Sequence, residues 1–140
     1  MRRIQVLAIE DNSADVFWLE TVLNDVGLDH ALSVAEDGAQ GLDFLLKCGE
    51  FETAPTPDII FLDSNLPRLN GAEVLRKVPH PETLPLCVLT SSIEDRDRFR
   101  DEFGIEEPRY LIKPVSRDRL LSCLRSYTQL RPILEQALHS

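Results

Sequence analysis

Long apolar runs are missing from this 140-residue chain. The longest unbroken stretches, such as Val16-Phe17-Trp18-Leu19, have four residues. A membrane-spanning helix needs about 20, so no span and no membrane partner is expected. The basic start, Met1-Arg2-Arg3, meets Glu10 and Asp11 too early for a signal peptide, and the cytoplasm is the expected location. Cysteine is scarce: Cys48, Cys87 and Cys123 are odd in number and far apart, with no Cys-x-x-Cys or paired-histidine spacing. That pattern excludes a disulfide framework or zinc cluster and leaves three buried reduced thiols as the expectation. Positive charge is short as well. Fifteen Lys and Arg face 24 Asp and Glu, a net of −9, whereas nucleic-acid binding by phosphate neutralisation needs clustered cations. No Gly-x-Ser-x-Gly elbow surrounds Ser91 or Ser92, and Gly38-x-x-Gly41 falls short of a dinucleotide fingerprint. His30, His80 and His139 follow no pattern linking them to a nucleophile and read as solvated loop or terminal residues.

What is present reads as one domain. The length lies near the commonest domain size, about 100–150 residues, and 43% hydrophobic residues suffice for a core. Val6–Ile9 is a buried strand ending at Glu10-Asp11. Asn12-Ser13 caps a helix carrying Val16, Leu19, Val22, Leu23 and Val26, which Gly27 stops. A strand follows over about His30–Ala35, then a helix with Leu42, Leu45 and Leu46, ending near Gly49 before a polar loop to Pro57. Ile59–Leu62 is the most hydrophobic strand and runs into Asp63. Further elements are a helix over about Ala72–Val78, a strand over Leu86–Leu89, and a charged helix over Glu94–Phe103 with Phe99 and Phe103 on one face. The series ends with a strand over Arg109–Ile112 and a helix capped by Ser116 that carries Leu120, Leu121 and Leu124. Five strand-helix units in alternation predict an α/β fold, a doubly wound five-stranded parallel sheet with right-handed crossovers.

Ligands of such folds bind outside the carboxyl ends of the strands. Those ends carry Glu10-Asp11, Asp63, Thr90 and Lys113. Three carboxylates on one rim repel one another by about 4 kcal/mol per pair at about 4 Å and an effective dielectric near 20. A divalent cation relieves this, and an oxygen-only ligand set with room for water suits Mg²⁺. Solvated loop acids or helix caps are the bland alternative, and for Asp11 alone the better one; three acids at strand ends favour the metal. A rigidly held Asp63 can attack phosphorus and form an aspartyl phosphate. Lys113 would then offer a point charge, and Thr90 a hydrogen bond, to the phosphoryl oxygens.

The ordered set Glu10-Asp11, Asp63-Ser64-Asn65-Leu66-Pro67-Arg68-Leu69-Asn70-Gly71, Thr90-Ser91-Ser92 and Lys113-Pro114 resembles the receiver domains of two-component response regulators, the CheY-like proteins. The match covers roughly residues 4–128. The resemblance implies the flavodoxin-like strand order 2-1-3-4-5, Asp63 as phosphoacceptor, and Mg²⁺ (or Mn²⁺) held by Glu10, Asp11, Asp63 and the Asn65 carbonyl. It also implies Lys113 and Thr90 on the phosphoryl group, Thr90 and Tyr110 as the switch pair, and a cis bond before Pro114. Asn65 and Ser92 would flank the attacking water and tune hydrolysis. The Glu-Asp pair, the long loop over 50–57 and the Asn-Leu-Pro turn are similar to single-domain regulators paired with cyanobacterial and bacterial phytochrome histidine kinases. Ser91 departs from the small residue usual after the switch threonine.

The implied protein is not an enzyme in its own right. It accepts phosphate from a sensor histidine kinase, promotes only its own phosphorylation and slow dephosphorylation, and signals to a downstream protein target. An aspartate-nucleophile phosphatase would place Asp-x-Asp after the first strand, but Asp63 is mid-chain and Asn65 replaces the second acid. A flavin binder needs a phosphate cradle where Glu10 and Asp11 stand. A receiver-like module that binds without being phosphorylated would not need the full constellation. Residues 1–128 are expected to form the receiver domain, leaving 129–140 as a short helical C-terminal extension and no room for an output domain. Leu130, Ile133, Leu134, Ala137 and Leu138 recur there at helical spacing, either packed on the domain or exposed as part of a homodimer contact. Charge is uneven along the chain. Residues 1–108 hold nine basic and 22 acidic groups, and residues 109–140 six and two, so the C-terminal side is a basic docking or dimer surface.

Overall fold

The computed structural model describes residues 3–138; His139, assigned from sequence to a solvated terminus, and the last residues of the 129–140 extension lie outside them. Strands β1 (Ile4–Ile9), β2 (His30–Ala35), β3 (Ile59–Asp63), β4 (Leu86–Thr90) and β5 (Tyr110–Ile112) form one parallel sheet in the order β2-β1-β3-β4-β5. Helices α1 (Ser13–Asp25), α2 (Gly38–Leu46), α3 (Gly71–Lys77), α4 (Ile93–Phe103) and α5 (Arg117–Arg125) fill the crossovers and the last return. Helix α6 (Arg131–Leu138) closes the chain. This is the flavodoxin-like α/β arrangement. β3 and β4 are buried throughout, as parallel strands covered on both faces must be.

The caps explain where the helices begin. Asn12 accepts the Ala14 and Asp15 amides, Asp37 accepts the Gln40 amide, and Ser116 accepts the Arg119 amide. Asn70 and Glu73 form a reciprocal capping box at α3. Two apolar clusters sandwich the sheet. One joins Leu19, Leu23, Phe61, Leu111, Leu120 and Leu124; the other joins Ile9, Phe44, Leu62, Leu75, Phe99 and Tyr110. Among the described residues no helix is long and apolar enough to cross a membrane.

Three local expectations change. Helix α2 buries Phe44 and leaves Leu46 exposed. Leu42 and Leu45 are half-buried, with Leu45 packed on the core, and the glycines bring the helix close: a Cβ on Gly38 would stand 1.5 Å from the Leu69 carbonyl oxygen, and one on Gly41 2.7 Å from Ile9 Cγ2. That close approach turns Phe44 inward onto Phe51. Cys48 is exposed just past α2, where Lys47 adopts φ 55 and leads the chain off the helix; only Cys87 and Cys123 are buried. The His30 side chain is nearly buried, with Nδ1 against the Leu28 carbonyl and Nε2 3.2 Å from Glu20.

The apolar stripe of the C-terminal extension packs on its own domain. Leu130 and Leu134 are 2% exposed, and Ile133, Ala137 and Leu138 lie against the same cluster as α1 and α5. Arg131 Nε donates to the Arg125 carbonyl at 2.7 Å and ties α6 to the end of α5. Helix α6 is therefore part of the core. Leu134→Ala should lower the unfolding free energy by about 2–5 kcal/mol through lost burial and a residual cavity. Chemical denaturation checks this, and a loss within about 0.5 kcal/mol, the usual range for surface substitutions, would show that the helix is an appendage.

Candidate functional site

The parallel register carries four strand ends to one rim. Ile9 pairs with Leu62, Asp63 with Leu89, and Thr90 with Ile112, so Glu10, Asp63, Thr90 and Lys113 emerge side by side. One oxygen each from Glu10, Asp11 and Asp63 lies within 4.8 Å of the others. Glu10 and Asp63 are buried and Asp11 is exposed, so the cluster opens to solvent on the Asp11 side. Backbone amides brace it: Asn65 N donates to Asp63 Oδ1 at 3.0 Å and Asp11 N to Glu10 Oε2 at 3.1 Å. Gly71 lets the following helix approach closely, since a Cβ there would be 2.7 Å from the Asp63 carbonyl oxygen.

Lys113 brings a positive charge to the cluster. Its Nζ lies 2.6 Å from Glu10 Oε1, 2.8 Å from Asp15 Oδ2 and 3.0 Å from Asp63 Oδ2, so its three N–H donors meet three carboxylates. Burial opposes the lysine's charge, but its hydrogen bonds to Asp15, Glu10 and Asp63 outweigh burial and hold its pKa above the ordinary lysine range. Glu10 moves the opposite way to a paired acid. Burial first, then the adjoining Asp63 carboxylate, push it up to about 8 against the pull of Lys113. The Lys113–Pro114 peptide is cis.

Thr90 faces the α4 side of the rim. Its hydroxyl is 3.1 Å from the Ser92 carbonyl and 3.3 Å from Asp95 Oδ2, and it accepts the Ser92 amide at 3.0 Å. One hydroxyl proton serves one acceptor at a time, so donation toward Asp63 requires release from both. Asp95 also accepts the Ser64 hydroxyl at 3.0 Å, linking the loops after β3 and β4. Tyr110 is buried against Phe99 with its hydroxyl 3.4 Å from the same Ser92 carbonyl. Burial pushes its phenol up to about 12. The rim therefore gathers Glu10, Asp11, Asp63, Asn65 and Lys113, while Thr90, Ser92 and Tyr110 form an adjoining hydrogen-bonded group.

Asp15 and Asp95 join these groups without being legible in the sequence. The available signals were weak: Asp15 lies one helical turn past Asp11, and Asp95 lies in the first turn of α4. A separate cavity of about 290 Å³, bounded by Leu86, Phe103, Arg109 and Tyr127, lies at the other end of β4 and β5 and contains none of the rim residues.

An all-oxygen carboxylate cluster with one open side fits a hard divalent cation, and an acid paired with lysine and a threonine hydroxyl fits phosphoryl chemistry. A sequence model of the response regulator receiver domain matches residues 6–125. The chain belongs to that family. The receiver is 38% identical over 95 residues to the response regulator Rcp1 of Synechocystis, an alignment covering 66% of this chain and 65% of Rcp1. It thus spans just under two thirds of that relative's length. Its fold superposes on the bacteriophytochrome response regulator AtBRR with a TM-score of 0.77 at 29% identity, over 89% of this chain and 92% of AtBRR. On the Mn²⁺-bound form of Rcp1 the TM-score is 0.67 at 28% identity, over 97% and 90% of the two chains. The receiver is thus similar to phytochrome response regulators in both sequence and structure.

The raised Glu10 fixes the sign of a pH effect. Its pKa goes from 4.5 to about 8 on folding, so the folded state binds the extra proton between those values and stability falls as pH rises through that window. In cation-free buffer, wild type should lose up to about 1.4 kcal/mol per pH unit relative to Glu10→Gln across this range. Urea denaturation at pH 5, 6.5 and 8 reads it; parallel curves for the two proteins would contradict it.

Proposed function

We propose that this receiver is the phosphoacceptor of a two-component phosphorelay and that Asp63 takes the phosphoryl group. The donor is a phosphohistidine of a sensor histidine kinase. The P–N bond breaks with its electron pair kept by the imidazole nitrogen, and a P–O bond to the Asp63 carboxylate forms. The observation that carries this reading is the Lys113 ammonium 3.0 Å from Asp63 Oδ2, beside two further acids on one rim. Glu10, Asp11, Asp63 and the Asn65 carbonyl are the proposed ligands of Mg²⁺ or Mn²⁺, in keeping with the oxygen-only donor set and with the Mn²⁺-bound form of Rcp1. Bound there, the cation offsets charge on the phosphoryl oxygens.

The chain's own groups do the rest. Lys113 orients the carboxylate and then holds a phosphoryl oxygen. Thr90 gives up the Ser92 carbonyl and Asp95 to donate to another. The Ser92 carbonyl is then left to Tyr110, which couples the rim to the face formed by α4, β5 and α5. Asn65 and Ser92 flank the phosphoryl site and tune its hydrolysis. The chemistry is confined to the receiver's own phosphorylation and dephosphorylation, without turnover of a separate substrate.

Similarity to AtBRR supports a phytochrome as the kinase's sensory part. Output passes to a downstream protein target in the cytoplasm. We place the receiver domain at residues 1–128 and the helical extension at 129–140. We retain a homodimer as part of the proposal, supported by the basic character of residues 109–140 against an acidic remainder. With its leucines spent on the core, α6 would contribute polar and charged groups to that contact rather than the apolar stripe.

The test is label transfer. Wild type incubated with labelled acetyl phosphate and Mg²⁺ should acquire acid-stable, base-labile label, and Asp63→Asn should lose it by at least about 100-fold, as removal of a covalent nucleophile does. Undiminished labelling of the variant would overturn the assignment.

A further inference from the structure

Glu10 belongs to two sets that compete. It is one of the three acids whose oxygens gather within 4.8 Å, and it is also the shortest contact of Lys113, at 2.6 Å. Asp63 is shared in the same way. Asp15 is not: it contacts Lys113 at 2.8 Å and lies outside the acid cluster. A divalent cation on Glu10 and Asp63 repels an ammonium held by the same two carboxylates, so Lys113 must give up part of its contacts as the cation enters. Asp15 is the one partner it keeps without competition.

Resting on the receiver reading above, we infer that Asp15 is a positioning residue: it retains the Lys113 ammonium at the rim while Glu10 and Asp63 are released to the divalent cation. Three further observations support it. The Asp15 amide and the Ala14 amide are both fixed by the Asn12 side chain, so this turn of α1 is anchored. One turn on, Trp18 Nε1 donates to the Val115 carbonyl at 2.7 Å, fixing α1 to the segment that bears Lys113. The Asp15 side chain is 36% exposed, against 2% for Glu10 and 7% for Asp63, so it can follow the ammonium outward by a rotamer change where the buried acids cannot. Without Asp15, Lys113 has no carboxylate partner outside the cluster among the described residues and stays on Glu10, in competition with the cation.

A double-mutant cycle on Mn²⁺ affinity tests this, read from free Mn²⁺ by electron paramagnetic resonance on the full chain. Asp15→Asn should weaken Mn²⁺ binding about tenfold in the wild-type background and less than about twofold once Lys113→Met has removed the competing ammonium. Asp15→Glu, which keeps the carboxylate, should restore most of the affinity. Equal losses from Asp15→Asn in both backgrounds would reduce Asp15 to one more negative charge near the site and overturn the inference. So would an unchanged affinity in the wild-type background. Wild type that fails to bind Mn²⁺ at all would overturn the cation site of the proposed function, and the inference with it.

Discussion

A single ammonium among carboxylates is the interaction on which the rim depends. Lys113 reaches Glu10, Asp15 and Asp63 from the end of β5, and so joins the β1–α1 segment and the end of β3 to a strand far from both in sequence. Glu10 and Asp63 are nearly buried, and buried like charges raise the energy of the folded state unless something offsets them. Burial, more than the neighbouring Asp63, raises the pKa of Glu10, and the Lys113 ammonium only partly opposes that rise. The rim thus holds three clustered acids beside one ammonium, at a place open to solvent through Asp11. An oxygen-only cluster of this kind suits a hard divalent cation.

The sheet exists, from the site's point of view, to bring those groups to a common level. Parallel register aligns the ends of β1, β3, β4 and β5, and rigid hydrophobic strands leave Asp63 little freedom to move. The hydroxyl group beside it is built differently. Thr90 has one hydroxyl proton within reach of two acceptors, the Ser92 carbonyl and Asp95, and each of these also has a second donor, Tyr110 and Ser64. A rigidly held acid cluster next to a hydroxyl with a choice of acceptors is the physical basis of the proposed switch.

Much of this was legible in the sequence, and the reasons differ by element. The apolar runs over Val6–Ile9 and Ile59–Leu62 read as buried parallel strands from their β-branched content and the turn-forming residues that end them, which the equally long Val16–Leu19 run inside α1 lacks, and the acids at their ends mark the rim. The strand order came from resemblance, since alternation alone leaves several topologies open. In helix α2 the leucine spacing located Leu45 on the core but not the buried Phe44 or the exposed Leu46, because it hides the backbone approach of Gly38 to Leu69. The spacing of the α6 stripe was visible, but whether it faced its own core or a partner depended on where the chain turned after Tyr127. Asp15 and Asp95 were missed for a plainer reason: each acts on a partner brought to it by the fold, and Asp15 meets Lys113 across 98 residues.

The central claim is that Lys113 and a divalent cation neutralise the same acids. The stability of Lys113→Met against wild type, measured over a Mg²⁺ titration, tests it most directly. Without Mg²⁺ the variant should be less stable by about 3 kcal/mol, because it leaves partly buried carboxylates unpaired. Added Mg²⁺ should then stabilise the variant more than it stabilises wild type, closing most of the gap. Equal stability in the absence of Mg²⁺, or the same Mg²⁺ increment in both proteins, would contradict the account.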